Sequence, residues 1–292
     1  MECSLCPRNC QARRTETENI GGFCKMPLTP VIARASLHFG EEPCISGTKG
    51  SGTVFFSGCN LRCVFCQNFE VSRGEKGKGV SYKRLAEIFR ELEEKGAHNI
   101  NLVTPSHFAF AIGEALKIYR PKIPIVYNSS GYDSLKALEM LSDKIDIYLF
   151  DLKYLNPQNS LKYSKSSDYP SVALRAIEYA CSVKKENIFD ENGIMKSGVI
   201  IRHLLLPRAT NEAIKVFQTV KEKFPSAYFS IMSQYVPLYD AGKYPEINRK
   251  VTKREYEKVL DRIIESGFEN CYFQDLESST EDLIPDFNLY GV

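Results

Sequence analysis

Gly58-Cys59-Asn60-Leu61-Arg62-Cys63-Val64-Phe65-Cys66-Gln67-Asn68 follows a short β-rich run at 53–57, TVFFS, and precedes an amphipathic stretch with Leu85, Ile88, Phe89 and Leu92 on one helical face. Strand, cysteine loop and helix form the first unit of an order that repeats. Further β-like runs occur at 100–103, 123–127, 145–150, 198–205 and 227–232. Between them, helical faces are marked by Ala109/Ile112/Leu116/Tyr119, Leu135/Leu138/Leu141, Ala173/Ile177/Ala180 and Ala213/Phe217/Val220. Strict alternation implies parallel strands joined by right-handed crossovers, so the fold class expected is α/β. Six such units predict a partial (β/α)6 barrel, followed by a helix carrying Tyr256, Val259, Leu260 and Ile263 and a β-like run at 270–273. Ligands of such folds sit at the carboxyl ends of the strands, and the polar residues just past each strand are the candidates.

A chain of 292 residues is long enough to bury roughly three-quarters of its unfolded surface. With 43% hydrophobic and 25% charged residues, neither disorder nor a collagen-like fibre is expected. No apolar run reaches bilayer-spanning length, so no membrane partner is expected. Met1 leads straight into Glu2-Cys3-Ser4-Leu5-Cys6 with no apolar h-region, which makes the cytoplasm the expected compartment. Thirty-eight basic against 36 acidic residues leave a net charge of +2, which is no signature of polyanion binding. Nucleic acid is therefore not expected as a partner.

Of ten cysteines, eight (Cys3, Cys6, Cys10, Cys24, Cys44, Cys59, Cys63, Cys66) fall within the first 66 residues. In a reducing compartment such clustering points to metal or redox centres rather than disulfides. Cys181 and Cys271 are isolated among apolar residues and read as small buried hydrophobes. Cys59, Cys63 and Cys66, spaced Cys-x3-Cys-x2-Cys, suit a cluster held by three thiolates with one iron left for a substrate or cofactor. The bland alternative is a zinc site completed by Cys44 or a histidine.

This spacing, with aromatic Phe65 directly before the last cysteine and the loop directly after a first strand, resembles the radical S-adenosylmethionine (SAM) superfamily. The run from Gly58 to Asn68 is most similar to the branch that includes pyruvate formate-lyase activating enzyme and its paralogues, and the resemblance extends from about residue 53 to about 243. It implies a partial barrel of the radical SAM type. It also implies that Cys59, Cys63 and Cys66 hold a 4Fe-4S cluster whose fourth iron is chelated by S-adenosylmethionine. One electron then yields methionine and a 5'-deoxyadenosyl radical, which abstracts hydrogen from a substrate. The activity expected is that of an oxidoreductase served by a reductant such as flavodoxin or ferredoxin, acting on a protein substrate such as a glycyl radical enzyme. Rival readings are radical modification of a small molecule or RNA, and a non-enzymatic iron-sulfur electron carrier.

The same resemblance extends to the loops. Asp151-Leu152-Lys153 matches an Asp-Leu-Lys motif near SAM, and two residues one apart on a strand end point the same way; the bland reading is a surface ion pair. Arg202, within an apolar strand where an unpaired guanidinium is costly, should meet a carboxylate and contact the methionine end of the cofactor. Adjacent His203 reads as packed. Asn128 stands where the activating enzyme carries an acid, and Val103-Thr104-Pro105 where it carries Gly-Gly-Glu, leaving backbone acceptors at Thr104. Phe65, Asn68, Gln234 and Tyr239 complete the candidate cofactor contacts, with loop packing the alternative for the last two.

Residues 1 to about 50 are punctuated by glycine and proline and read as a loop-rich, cysteine-rich segment, with the radical SAM core over 51–292. Cys3, Cys6, Cys10 and Cys24 supply four thiols to it. They are expected to form a second metal site, zinc or a second iron-sulfur cluster, with Cys44 as a substitute ligand and unligated thiols as the alternative.

Overall fold

A computed structural model of the chain describes residues 3–274 and 285–292. Among the described residues eight strands of three residues or more carry the sheet: β1 (Val31–His38), β2 (Ser51–Phe56), β3 (Ile100–Val103), β4 (Ile125–Ser129), β5 (Ile147–Asp151), β6 (Met195–Leu204), β7 (Tyr228–Met232) and β8 (Cys271–Phe273). Strands β2 to β8 are parallel and neighbour one another in chain order, while β1 lies antiparallel against β2. Winding in one direction without reversal is the topology of a barrel rather than of a doubly wound sheet. The expected α/β partial barrel is thus present, and the run at 270–273 joins it as a seventh parallel strand. β4 begins two residues later than expected. Pro124 cannot donate to the ladder; its carbonyl accepts from Ile100 N at 2.9 Å, and donation starts beyond it.

Among the described residues seven helices of seven residues or more accompany it: α1 (Tyr82–Glu94), α2 (Ala109–Ile118), α3 (Leu135–Leu141), α4 (Pro157–Ser164), α5 (Tyr169–Val183), α6 (Thr210–Lys223) and α7 (Lys253–Glu265). In α1, Leu85, Ile88, Phe89 and Leu92 are buried as their spacing predicts, and Ser81 caps the helix by accepting from Arg84 N. α7 starts with a capping box between Thr252 and Glu255. α4 was not foreseen, although Asn156 followed by Pro157 is a helix-start signal. Among the described residues no helix is long and apolar enough to cross a membrane.

Alternation along the strands sorts the side chains into two layers. Tyr148, Phe150, Val199 and Ile201 join the large core beneath the helices, whereas Ile147, Leu149, Val126 and Ile200 form a second cluster inside the barrel. That inner cluster is completed by Cys44 and Ile45 of the one-turn helix Pro43–Ser46.

Two expectations for the N-terminal segment therefore need correcting. Val31–His38 is an eight-residue strand of the main sheet, not loop. Its run VIARASLH has small residues and no clean alternation, and the ladder to β2 fixes it from outside. Cys44 is not a substitute metal ligand: it lies inside the barrel, where Tyr272 OH donates to its sulfur. Residues 286–291 run beside β1, with Leu289 N donating to Ala33 O at 3.1 Å and Ala35 N to Tyr290 O at 2.9 Å.

Candidate active site

The strand ends and the cysteine loop enclose a cleft of about 270 Å³. Cys59, Cys63, Cys66, Phe65 and Asn68 line it from the loop, and Thr104, Asn128, Asp151, Lys153, Arg202 and Gln234 from the ends of β3 to β7. Residues scattered over 175 positions are thus brought to one cavity, as the carboxyl-end rule requires.

Gly58 sets the entry to the loop. Its φ is +78°, and a Cβ there would stand 2.3 Å from Met26 Cγ and 2.8 Å from Cys24 O, so only glycine fits. Beyond it, Leu61 N donates to Cys59 Sγ at 3.3 Å, Cys63 Sγ lies 3.1 Å from Ser164 Oγ, and Cys66 Sγ accepts from Asn68 N and Ser72 Oγ. Burial pushes the Cys59 thiol up to about 12, helped by Cys63 beside it, and burial raises Cys66 too; the Lys153 ammonium opposes both shifts. Three sulfurs ringed by donors and facing a cation suit ligation as thiolates. Among the described residues no three His, Cys, Asp or Glu side chains close on one point, as they would around a single ion. A four-iron cluster asks for less, because each cysteine binds a different iron. The donor set fits such a cluster.

Opposite the loop, Asp151 and Lys153 form an ion pair within the cleft, with side chains 19% and 16% exposed, so the surface-pair reading is excluded. Burial alone would lower Lys153, but Asp151 and the cysteine sulfurs raise it and it stays charged. Arg202 shares the inward parity of Ile200 and meets two carboxylates: Nε donates to Glu42 Oε1 at 2.8 Å, and Nη2 to Glu41 and Glu42. Burial would raise Glu42, yet Arg202 and Ser230 hold it below the usual carboxylate range. The third guanidinium nitrogen, Nη1, makes no hydrogen bond to a described residue.

Glu41 and Glu42 were missed by sequence reasoning. The demand of Arg202 for a partner was legible, but nothing local marks two glutamates ahead of Pro43 as buried. Glu41 Oε1 also accepts from Asn101 Nδ2 at 2.8 Å and from Asn128 Nδ2 at 3.3 Å, so the loop that lacks an acid in sequence faces one in space.

Thr104, which stands where the activating enzyme it resembles carries its glycine pair, holds φ +60°, a conformation β-branched residues rarely adopt; its N–H donates to Asn128 O at 2.8 Å. The glycine-like backbone is kept although the residue is not glycine. Phe65 packs edge-on against Tyr235, and the Gln234 carbonyl accepts from Gln67 Nε2 at 3.3 Å. Tyr239 does not join the wall: it is 43% exposed, stacked on Phe69 at 4.8 Å. His203 points to the helix side and is buried, its Nδ1 bonded to Leu152 O at 2.7 Å.

The model of the Radical SAM superfamily matches residues 53–218. The uncharacterized protein MJ0674 of Methanocaldococcus jannaschii is 31% identical over 269 residues, covering 89% of this chain and 73% of its own. Among solved structures, HydG, a maturase of the FeFe-hydrogenase, aligns at a TM-score of 0.52 with 15% identity, over 74% of this chain and 48% of that one. The FeFe-hydrogenase maturase HydG from Carboxydothermus hydrogenoformans gives 0.50 with 16% identity, over 80% and 56%. The chain spans about half the length of these two structures. With the family match running from β2 through the cysteine loop into α6, and a relative alike over most of its length, the chain belongs to the radical SAM superfamily.

Proposed function

We propose that this SAM-cleaving enzyme is activating-enzyme-like and takes hydrogen from a protein-borne substrate such as a glycyl radical enzyme. What supports this is the run Gly58–Asn68, which resembles that of the activating-enzyme branch and whose three cysteines line one cleft with Asp151, Lys153 and Arg202.

The superfamily's cofactors are a 4Fe-4S cluster and S-adenosylmethionine. Once bound and reduced, they supply one electron to split the sulfonium carbon–sulfur bond, giving methionine and a radical that takes hydrogen from the substrate. The chain's own part is holding and shielding. Cys59, Cys63 and Cys66 would hold the cluster. Arg202 and Lys153 would offer donors to the cofactor's carboxylate, Asp151 would accept from its amino group, and the Thr104 backbone, Asn128, Asn68 and Gln234 would take its remaining polar groups. Phe55, Phe56, Leu61, Phe65 and Val71 make the apolar wall that keeps water out. A flavodoxin or ferredoxin would deliver the electron.

The test uses anaerobically reconstituted protein with S-adenosylmethionine and dithionite, and follows 5'-deoxyadenosine by chromatography. Formation is expected in the wild type and not in Cys63→Ala. Stimulation by the macromolecular fraction of a cell extract supports the protein substrate, while stimulation by the filtrate alone would replace it with a small molecule.

A further inference from the structure

Four thiols have no part in the cleft. Cys3, Cys6, Cys10 and Cys24 belong to a segment whose regular structure is a ladder of two residues a side, Arg13–Arg14 against Asn19–Ile20. Between residues 3 and 29 only Ala12, Arg14, Cys24 and Met26 are buried. So small a core does not by itself hold four thiols in fixed places.

The four sulfurs are nevertheless brought within electrostatic reach of one another, Cys6 of Cys24, Cys3 and Cys10, and Cys24 of Cys3 and Cys10. Donors also converge on them. The Arg8 N–H donates to Cys6 Sγ and the Met26 N–H to Cys24 Sγ, each from two residues beyond its cysteine. Asn19 Nδ2 lies 3.9 Å from Cys24 Sγ, and Arg14 Nη1 lies 3.5 Å from Cys3 Sγ. The same two-residue bond is found at Cys59, from Leu61, and at Cys66, from Asn68. A neutral thiol is a weak acceptor and needs no such array, whereas a thiolate does. A bound cation accounts for the array, because thiols that coordinate a metal are held as thiolates.

We propose that Cys3, Cys6, Cys10 and Cys24 hold a second metal centre, closed by four thiolates and set apart from the cleft. None of the four lines the cleft, and four protein ligands leave no open position, so the centre is structural rather than substrate-binding. Four thiolates around zinc or around an oxidised four-iron core leave a net charge of about −2. Arg14 is buried beside it, and the Arg8 and Arg62 guanidiniums lie 4.0 and 4.3 Å from the centre of the Phe23 ring, next to Cys24. What the centre steadies is the catalytic loop: Arg8 Nε donates to Asn60 O at 2.7 Å, Arg62 Nη2 to Phe23 O at 3.2 Å, and Cys24 and Met26 abut Gly58. The sulfurs do not close on one point, so zinc would have to draw them to roughly 3.8 Å apart, given Zn–S bonds of about 2.3 Å, while a four-iron core would leave them wider.

The test is metal and acid-labile sulfide analysis of the full chain carrying Cys59→Ala, Cys63→Ala and Cys66→Ala, purified anaerobically. About one zinc, or about four irons with sulfide, should remain per chain, and should be lost when Cys6→Ser and Cys24→Ser are added. Either metal supports the centre and identifies it. Neither metal in stoichiometric amount overturns it. Should the triple variant not fold, alkylation of the wild type decides: Cys3 and Cys10, partly exposed, should resist iodoacetamide until a chelator is added, and ready labelling beforehand overturns the proposal. The cleft thiols are absent from the triple variant, so its metal content is independent of whether S-adenosylmethionine is cleaved.

Discussion

Arg202 Nε and Glu42 Oε1 lie 2.8 Å apart, across 160 residues of sequence, inside the barrel. The guanidinium also holds Glu41, so its removal would leave two carboxylates buried without their cation. Arg202→Ala is expected to cost about 3–5 kcal/mol of folding stability. Adding Glu42→Gln should recover part of that, because one unpaired charge is then gone. Denaturant titration of the two variants checks this; a double variant no more stable than Arg202→Ala would mean the pair is not coupled.

Arg202→Lys separates folding from binding. Lysine keeps the charge but not the planar fork that engages Glu41 and Glu42 while leaving Nη1 toward the cleft. Hydrogen bonds to charged groups contribute roughly 1.5–3 kcal/mol, so affinity for S-adenosylmethionine should fall by about one to two orders of magnitude. Iron content should not change. Calorimetry on reconstituted protein showing wild-type affinity would return Arg202 to a purely packing role.

Thr104 supplies a test of backbone against side chain. At φ +60° a β-branched residue is strained, and Thr104→Gly should relieve on the order of 1 kcal/mol. Affinity for S-adenosylmethionine should be retained, because the conformation offered to the cleft is one glycine adopts freely. Retained strain relief with lost affinity would show that the threonine hydroxyl, not the backbone, is what the cofactor uses.

Gly58→Ala should loosen the cysteine loop, since the added methyl would meet Met26 and Cys24 O as well as carry the cost of φ +78°. Gly21→Ala is the control: φ is +79° there, with nothing within 4 Å of the added carbon. Faster loss of the cluster chromophore in air is expected for Gly58→Ala alone. Equal rates in both variants would leave only the φ cost and remove the contact argument.

The pH dependence of stability should carry the mark of His107. Burial lowers it to about 3, and its Nε2 donates to Ser57 O at 2.7 Å. An unfolded chain takes up the proton near pH 6.5, the folded one only near 3, so in that window the unfolded state binds more protons. Stability is full above the upper limit and falls with acidification by up to about 1.4 kcal/mol per pH unit. Burial lowers His203 too, which adds to the slope with the same sign. His107→Gln keeps an N–H donor without a titrating ring and should flatten the slope, read from urea midpoints between about pH 7.5 and 5.

The sheet and its ligand-bearing end were legible because they rest on local signals. Apolar runs five or so residues long, helical faces and the spacing of Cys59, Cys63 and Cys66 are all written within short windows. Arg202 was legible in part: its charge within Ile200-Ile201 demanded a partner, but Glu41 and Glu42 are chosen by the folding of Pro43–Ser46 into the barrel, which no local pattern announces. Tyr239 failed for the converse reason. Its sequence neighbours put it after β7 with the other rim residues, yet the Phe69 ring turns it outward. β1 escaped notice because its alanines and serine are set by backbone pairing rather than by side-chain burial.

The outer edge of β1 has a history within each molecule. Val31 and Ile32 are covered by Lys78–Gly79, but Ala33 and Ala35 are covered by Leu289 and Tyr290, and the nearby Arg34 is bonded to a residue 252 positions further on. At roughly 5–20 residues per second, a ribosome needs on the order of 13 to 50 s to supply that cover. Throughout that interval the nascent chain carries a bare strand edge able to pair with another chain, so slower synthesis or crowded polysomes should raise the yield of aggregates without any change in the finished fold.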